Sequence, residues 1–279
     1  MTDLDFDHFR QLVRLRSGLA LTPDKAYLVL SRLAPVARAE GLANVPALLT
    51  RLRQGAPEVL LRRCVDAMAT HESFFFRDGT PFNLLADRVL PALIEARRAS
   101  RSLRVWCAAC SSGQEPYSVA MLLQEAGGAL AGWRTEIVAT DMSESILEKA
   151  RSGLYTDFEV NRGLSEARLN RWFTREGAAW RVSPALQQMV SFRPQNLLQG
   201  AAGLGTFDVI FCRNVLIYFD VPQKRTIFAD LATALADHGA LFLGSAETVI
   251  GITDAFELTP GAPGLYRPST VPAAIARTA

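Results

Sequence analysis

The chain has 279 residues, 49% hydrophobic and 21% charged, the balance of an ordinary soluble globular protein with room for one large domain or two unequal ones. Thirty Lys plus Arg against 28 Asp plus Glu leave a formal net charge of +2, too near neutral to imply a duplex-binding surface, so nucleic acid is not an expected partner. No apolar run approaches the ~18 residues of a membrane span, and the start Thr2-Asp-Leu-Asp-Phe-Asp7 is acidic where a secretory signal would be basic; a cytoplasmic protein with no membrane insertion is expected.

The first ~80 residues read as short helices with their punctuation in place. Phe6, Phe9, Leu12 and Val13 recur at helical spacing, and Gly18 ends that stretch. Thr22-Pro23 opens a second helix, carried by Tyr27, Leu28, Leu30 and Leu33 towards Gly41, with Pro35 expected to kink or shorten it. Asn44-Val45-Pro46 opens a third helix ending near Gly55, and Pro57 a fourth through Leu60, Leu61 and Val65. These four predict a small helical bundle.

From about residue 101 strands alternate with helices. Leu103 to Ala109 reads as a strand, followed by the turn Cys110 to Ser118 and a helix bearing Val119, Met121, Leu122 and Leu123. Glu136 to Thr140 is a second strand, with Ser143 capping the helix Glu144 to Ala150. Between Tyr155 and Asn196 the alternation lapses: Leu164 to Phe173 reads as helix, and Ala179 to Ser183 and Met189 to Arg193 as short strands flanking Pro184, a hairpin-like inserted element. Phe207 to Cys212, the helix Pro222 to Ala236 and the strand Ala240 to Leu243 complete an α/β pattern of near-continuous apolar strands, the mark of a parallel sheet covered on both faces.

Four cysteines, Cys64, Cys107, Cys110 and Cys212, are too few and scattered for a disulfide framework. Cys107 and Cys110 spell C-x-x-C without a second pair, and small apolar filler at a strand end is the better reading. His71-Glu72 lacks the second histidine of a zincin, since position 75 is Phe, and no metal is expected.

In an open α/β sheet, ligands gather at the carboxyl ends of the strands. Three polar clusters fall at such ends: Ser111 to Glu115, Asp141, and Arg213-Asn214. Asp141 sits where adenosine sites place a carboxylate on ribose hydroxyls, although an Asp capping the next helix fits equally well. The first turn has one glycine, Gly113, and suits adenosine without a diphosphate; S-adenosylmethionine is such a ligand.

Four longer motifs are more specific. They are Thr70-His-Glu-Ser-Phe-Phe-Phe-Arg77, Ala109-Cys-Ser-Ser-Gly-Gln-Glu-Pro-Tyr-Ser118, Ala139-Thr-Asp141 with Leu147 to Tyr155, and Phe207-Asp-Val-Ile-Phe-Cys-Arg-Asn-Val-Leu-Ile-Tyr-Phe-Asp220. In this order, over residues 4 to 268, the chain resembles the CheR-type chemotaxis receptor methyltransferases, which use S-adenosylmethionine to esterify glutamate side chains of chemoreceptors, leaving S-adenosylhomocysteine. The resemblance implies a Rossmann-like methyltransferase sheet preceded by a small all-α domain, with a small β-subdomain inserted. Residues 1–82 would form the helical domain and linker and 83–270 the methyltransferase domain, with the β-subdomain at about 157–194 and a disordered tail at 271–279.

By the same resemblance His71, Ser73 and Arg77 close over the methionine end of the cofactor. Glu115 faces its amino group, Asp141 the ribose, and Asn196-Leu197 the adenine. Arg213-Asn214 lie under the cofactor, and Tyr218 stands near the methyl group. Arg77 and Tyr218 are thus the candidate catalytic residues. His71 stands where the family more often has Asn, and Gln114 where many members have Glu, so the local negative charge rests on Glu115. The run Phe74-Phe75-Phe76 reads as core packing between the domains rather than substrate stacking. The family docks its second helix on acidic helical receptor domains; Arg32 and Arg38 keep such positions, while Pro35 and Val36 replace residues that are often basic. Eight basic against five acidic residues in 1–56 leave a modest excess of three. The turn Thr174 to Ala179 is short with a single glycine, so binding of a receptor's C-terminal tail peptide is not expected. A monomer is expected. A nucleic-acid base methyltransferase is disfavoured because Arg213 to Tyr218 contains no proline, and a non-catalytic adaptor because Arg77 and Tyr218 are both present.

Overall fold

A computed structural model describes residues 2–269; the tail expected to be disordered at 271–279 lies outside the described residues. The chain divides into two compact units, Met1–His71 with Tyr218–Gln223, and Glu72–Ile217 with the chain from Lys224 onward.

The first unit contains four helices: α1 (Asp3–Ser17), α2 (Ala26–Ala39), α3 (Val45–Gln54) and α4 (Glu58–Met68). Local chemistry sets their ends. Thr2 accepts the Asp5 N–H, Asp3 and Asp5 lie in the first turn, Arg14 and Arg16 in the last, and Gly18 closes α1 at φ +78°. The Asn44 side chain caps α3 by accepting from the Ala47 N–H at 2.9 Å. Phe9, Val13, Val29, Leu33, Leu48, Leu49 and Val65 form the buried interior. Pro35 does not end α2, which runs through it to Ala39. The segment Tyr218–Gln223 belongs here: the Ala20 N–H donates to the Tyr218 carbonyl at 3.4 Å, and Arg14 pairs with Asp220 at 2.6 Å.

The strands of the second unit are β1 (Ser102–Ala108), β2 (Arg134–Asp141), β3 (Leu154–Thr156), β4 (Phe173–Glu176), β5 (Ala179–Val182), β6 (Val190–Pro194), β7 (Phe207–Cys212), β8 (Leu235–Leu243), β9 (Phe256–Leu258) and β10 (Leu265–Pro268), and all but β3, β4 and β5 form one seven-stranded main sheet. Its order is β6-β2-β1-β7-β8-β10-β9, parallel from β6 to β8, with β10 antiparallel to β8. Every residue of β7 is buried, as a central parallel strand covered on both faces requires. The helices of this unit are α5 (Thr80–Leu84), continued by a π-helical turn (Leu85–Val89) into α6 (Leu90–Ala96), then α7 (Gln114–Glu125), α8 (Glu144–Ser152), α9 (Asp157–Asn161), α10 (Glu166–Trp172), α11 (Pro184–Gln187) and, from Lys224 onward, the greater part of α12 (Val221–Ala234).

The inserted element differs from the sequence expectation. β3, β5 and β4 make a separate antiparallel sheet in the order β3-β5-β4, and β4 turns into β5 through Gly177-Ala178. The strand read at Met189 to Arg193 instead joins the main sheet as β6, parallel to β2. Its alternation carries no record of which sheet it completes. Ser143 stands at the N-cap of α8 but makes no capping bond; its hydroxyl lies 3.0 Å from that of Ser145.

Candidate active site

Register assembles the site. Ala108 at the end of β1 pairs with Thr140 of β2 and Cys212 of β7, Cys212 pairs with Leu243 of β8, and Asp141 pairs with Pro194 of β6. Five carboxyl ends therefore finish level, and the polar residues that follow each strand fall along one edge of the sheet.

The first turn is tightly bent. Ala109, Ser111 and Gly113 all have positive φ, at 58°, 51° and 92°. A Cβ on Gly113 would stand 3.0 Å from the Ala150 Cβ and from the Tyr155 hydroxyl, so only glycine fits without displacement. Tyr155 is locked in place by donating to the Ser112 carbonyl at 2.7 Å. α7 starts at Gln114, whose buried side chain accepts from the Ser112 hydroxyl at 2.8 Å, and carries Glu115 in its first turn.

Asp141 is buried. One carboxylate oxygen accepts the Ser111 N–H at 2.9 Å and the other the Ser143 N–H at 3.1 Å. It fastens the first two turns together. The Gln195 N–H donates to the Asp141 carbonyl at 2.9 Å, which brings Asn196 and Leu197 to the same edge. Asn196 caps the 3₁₀ turn Leu197–Gln199, and Leu197 is buried.

Arg213 is the hub. Its guanidinium, 1% exposed, donates to Glu115 at 3.0 Å, to Asp78 at 2.6 Å and to the Arg77 carbonyl at 3.0 Å. Its Nε has no partner among the described residues. Burial pushes the Glu115 carboxyl up from its ordinary range, against the pull of Arg213, and the nearby Glu247 adds to the rise. A desolvated carboxylate held by one shared cation is ready for a second cation. Asn214 follows with φ +57°, and the N–H groups of Asn214, Val215 and Leu216 donate to the carboxylate of Glu247 at 2.7 to 2.8 Å.

The loop bearing Arg77 is fixed from several sides. The Phe76 N–H donates to the Ser118 hydroxyl at 3.0 Å, and Phe76 and Asp78 have positive φ, at 50° and 69°. Phe75 is fully buried, edge-on to Tyr155 and Phe173, and Phe76 packs on Phe82. Phe75 and Phe76 therefore pack inside the sheet-bearing unit, whereas a packing role between the domains was expected. Phe74 is only half-buried, with the Arg162 guanidinium 4.2 Å and that of Arg77 5.5 Å from its ring centre. Arg77 donates to the Glu72 carbonyl at 2.7 Å, and Arg162 pairs with the Glu72 carboxylate at 2.7 Å.

Glu115, Asp141, Asn196, Leu197, Arg213 and Asn214 share one sheet edge, and Arg213 ties Arg77 to it. Ser73 lies half-buried in the same loop. His71 and Tyr218 fall in the first unit, where Tyr218 ends a 3₁₀ turn over Leu216–Tyr218. Arg32 donates to the Met68 and Ala69 carbonyls at 2.6 and 3.1 Å and to the Thr70 hydroxyl at 2.9 Å, closing the end of α4; Arg38 is exposed. Sequence reasoning missed Asp78 and Glu247. Asp78 directly follows Arg77, and Glu247 lies four residues past the end of β8, so a search for acidic residues after every strand would have found Glu247. Cys107, Cys110 and Cys212 are buried, with thiols pushed well above their ordinary range by desolvation; they pack and stay protonated.

The donor set suits an adenosyl sulfonium amino acid: a carboxylate for a diol, a desolvated carboxylate for an ammonium, and a turn with no phosphate-cradling glycines. Two family models match the chain, the CheR methyltransferase all-alpha domain over residues 4–69 and the CheR methyltransferase SAM binding domain over residues 71–264. Among similar proteins, chemotaxis protein methyltransferase Cher2 of Pseudomonas putida is 40% identical over 94% of this chain and 97% of its own. Chemotaxis protein methyltransferase 1 of Pseudomonas aeruginosa is 43% identical over 94% and 97%. The Escherichia coli chemotaxis protein methyltransferase is 36% identical over 92% and 89%.

Proposed function

The chain belongs to the CheR methyltransferase family and is an S-adenosylmethionine-dependent methyltransferase, and from that premise we propose how its residues serve methyl transfer to glutamate carboxylates of chemoreceptor signalling domains. The observation that carries the assignment of residues is the level finish of five strands, which gathers Glu115, Asp141, Asn196 and Arg213 on one edge.

The bound donor supplies an electrophilic methyl group on a sulfonium. Asp141 accepts from the ribose hydroxyls, Glu115 from the ammonium, and Asn196-Leu197 border the adenine. Arg213 holds Glu115 at its post, with Asn214 beside it. Ser73 and Arg77 cover the methionine end; for His71 and Tyr218 only the family resemblance supports the roles proposed, at that same end and beside the methyl group. The attacking glutamate is already ionised at neutral pH, so no general base is required and the protein's contribution is positioning in a site with little water. Arg77 suits the orienting of a carboxylate, since a guanidinium offers paired donors; its hold must stay loose enough for the nucleophile to leave it.

The partner is the cytoplasmic helical domain of a chemoreceptor, met through Arg38 and Arg32 by a monomeric enzyme in the cytoplasm. Among the described residues no helix is long and apolar enough to cross a membrane. A receptor tail peptide is not an expected ligand: the edge strands β3 and β4 offer three and four residues, and β4's Arg175 and Glu176 are already paired with Asp157 and Arg181. The test is to incubate the protein with methyl-labelled S-adenosylmethionine and a receptor cytoplasmic fragment. Label released from the receptor by mild base, and lost by more than tenfold in a folded Arg77→Ala variant, is the expected result. Base-stable label, or near-normal transfer by that variant, would refute the ester or the role of Arg77 respectively.

A further inference from the structure

Glu247 is buried, 8% exposed, in the loop after β8, and its carboxylate accepts four main-chain N–H bonds. Oε2 takes Gly244 at 2.7 Å and Asn214 at 2.8 Å; Oε1 takes Val215 at 2.8 Å and Leu216 at 2.7 Å. Three consecutive N–H groups pointing to one place form an anion-binding nest, and here the protein's own side chain fills it. Gly244 makes the approach possible: a Cβ there would stand 2.8 Å from Oε2 and 2.9 Å from both the Asn214 nitrogen and its Nδ2.

The turn held this way is the one that begins with Arg213. Asn214 lies in the left-handed region at φ +57°, which asparagine adopts more readily than most residues but which still costs more than the right-handed alternative. We propose that Glu247 is a positioning residue for cofactor binding: by filling the 214–216 nest it holds the turn in the form that keeps Arg213 against Glu115 and Asp78. Without the carboxylate three neighbouring donors lose their acceptor, Asn214 relaxes, and the guanidinium leaves Glu115. Because Glu247 already accepts from these N–H groups, they are not available to an anionic ligand. The inference rests on the residue assignment above.

The test compares Glu247→Gln, which keeps the volume but places an amide NH₂ against N–H donors, with Gly244→Ala, which keeps the carboxylate and displaces it. Calorimetric affinity for S-adenosylhomocysteine is expected to fall about tenfold or more in each, with KM for the methyl donor raised and KM for a receptor fragment unchanged. Because Glu247 acts through Arg213 and Glu115, the double variant Glu247→Gln with Glu115→Gln should bind little worse than Glu115→Gln alone. A folded Glu247→Gln protein that binds within about twofold of the parent, or losses that multiply in the double variant, overturns the proposal. Should the variants not fold, hydrogen exchange of the parent decides it: the 214–216 amides must be protected without ligand, and fast exchange there sinks the idea. Failure of the parent to bind S-adenosylhomocysteine would instead refute the cofactor assignments of the site.

Discussion

Arg213 and Glu115 show how one buried pair can be structural and receptive together. Arg213 is shared between Glu115, Asp78 and the Arg77 carbonyl, so no single carboxylate has it to itself. Glu115 keeps an ionisation pushed up by burial. The sign follows from linkage: a carboxyl raised in the fold lowers the stability of the ligand-free protein above its unfolded value, and that cost fades as pH falls towards it. A cation that needs the carboxylate reverses the effect by binding only the charged form. Affinity for S-adenosylhomocysteine is therefore expected to fall as the pH drops from neutrality towards the ordinary carboxylate range, starting at a higher pH than an exposed glutamate would cause, and Glu115→Gln should abolish that slope while binding weakly throughout. Calorimetry across the range checks it, and an unchanged slope in the variant would remove Glu115 from the ligand's contacts.

At the scale of elements, the loop bearing Arg77 is held by its neighbours more than by its own sequence. The turn after α9 presses on it: Gly163 has φ +99°, and a Cβ there would lie 1.8 Å from the Phe75 carbonyl oxygen. No side chain fits that approach without moving one backbone or the other. Gly163→Ala is expected to destabilise the protein by about 3 kcal/mol in denaturant titration, combining left-handed strain with overpacking, and to lower methyl transfer more than the loss of folded protein accounts for. Parent-like turnover per folded molecule would show that the position of this loop does not matter to Arg77. Arg162 adds a softer restraint from the same turn, stacking on Phe74 and pairing with Glu72, whose carboxyl it holds below the usual range.

At the scale of the whole molecule, a net charge of +2 means that the receptor docking proposed for the helical unit would depend on a few local cations. The two candidates on α2 are not equivalent. Arg32 has its donors engaged by the carbonyls ending α4, so its removal disturbs the helical unit itself, whereas Arg38 is exposed. Arg38→Glu is expected to leave the melting temperature unchanged and to weaken binding to a receptor fragment several-fold at low salt, less at high salt. Binding that ignores both the reversal and the salt would place the receptor on another surface.

The sequence by itself determined the α/β class behind a helical bundle, because hydrophobic period and cap residues are local signals that Gly18, Asn44 and the apolar run of β7 carry within a few positions. It also displayed the acidic and amide residues at strand ends, and the four motifs that mark the family. Only the tertiary structure decided that β6 completes the main sheet and not the small one, that Phe75 packs against Tyr155 and Phe173, and that Arg32 closes α4. It alone joined Arg213 to Asp78, and Glu247 to a turn 31 to 33 residues away in sequence. Register and long-range bonds between polar groups depend on which strands lie side by side, and no window of neighbouring residues holds that information.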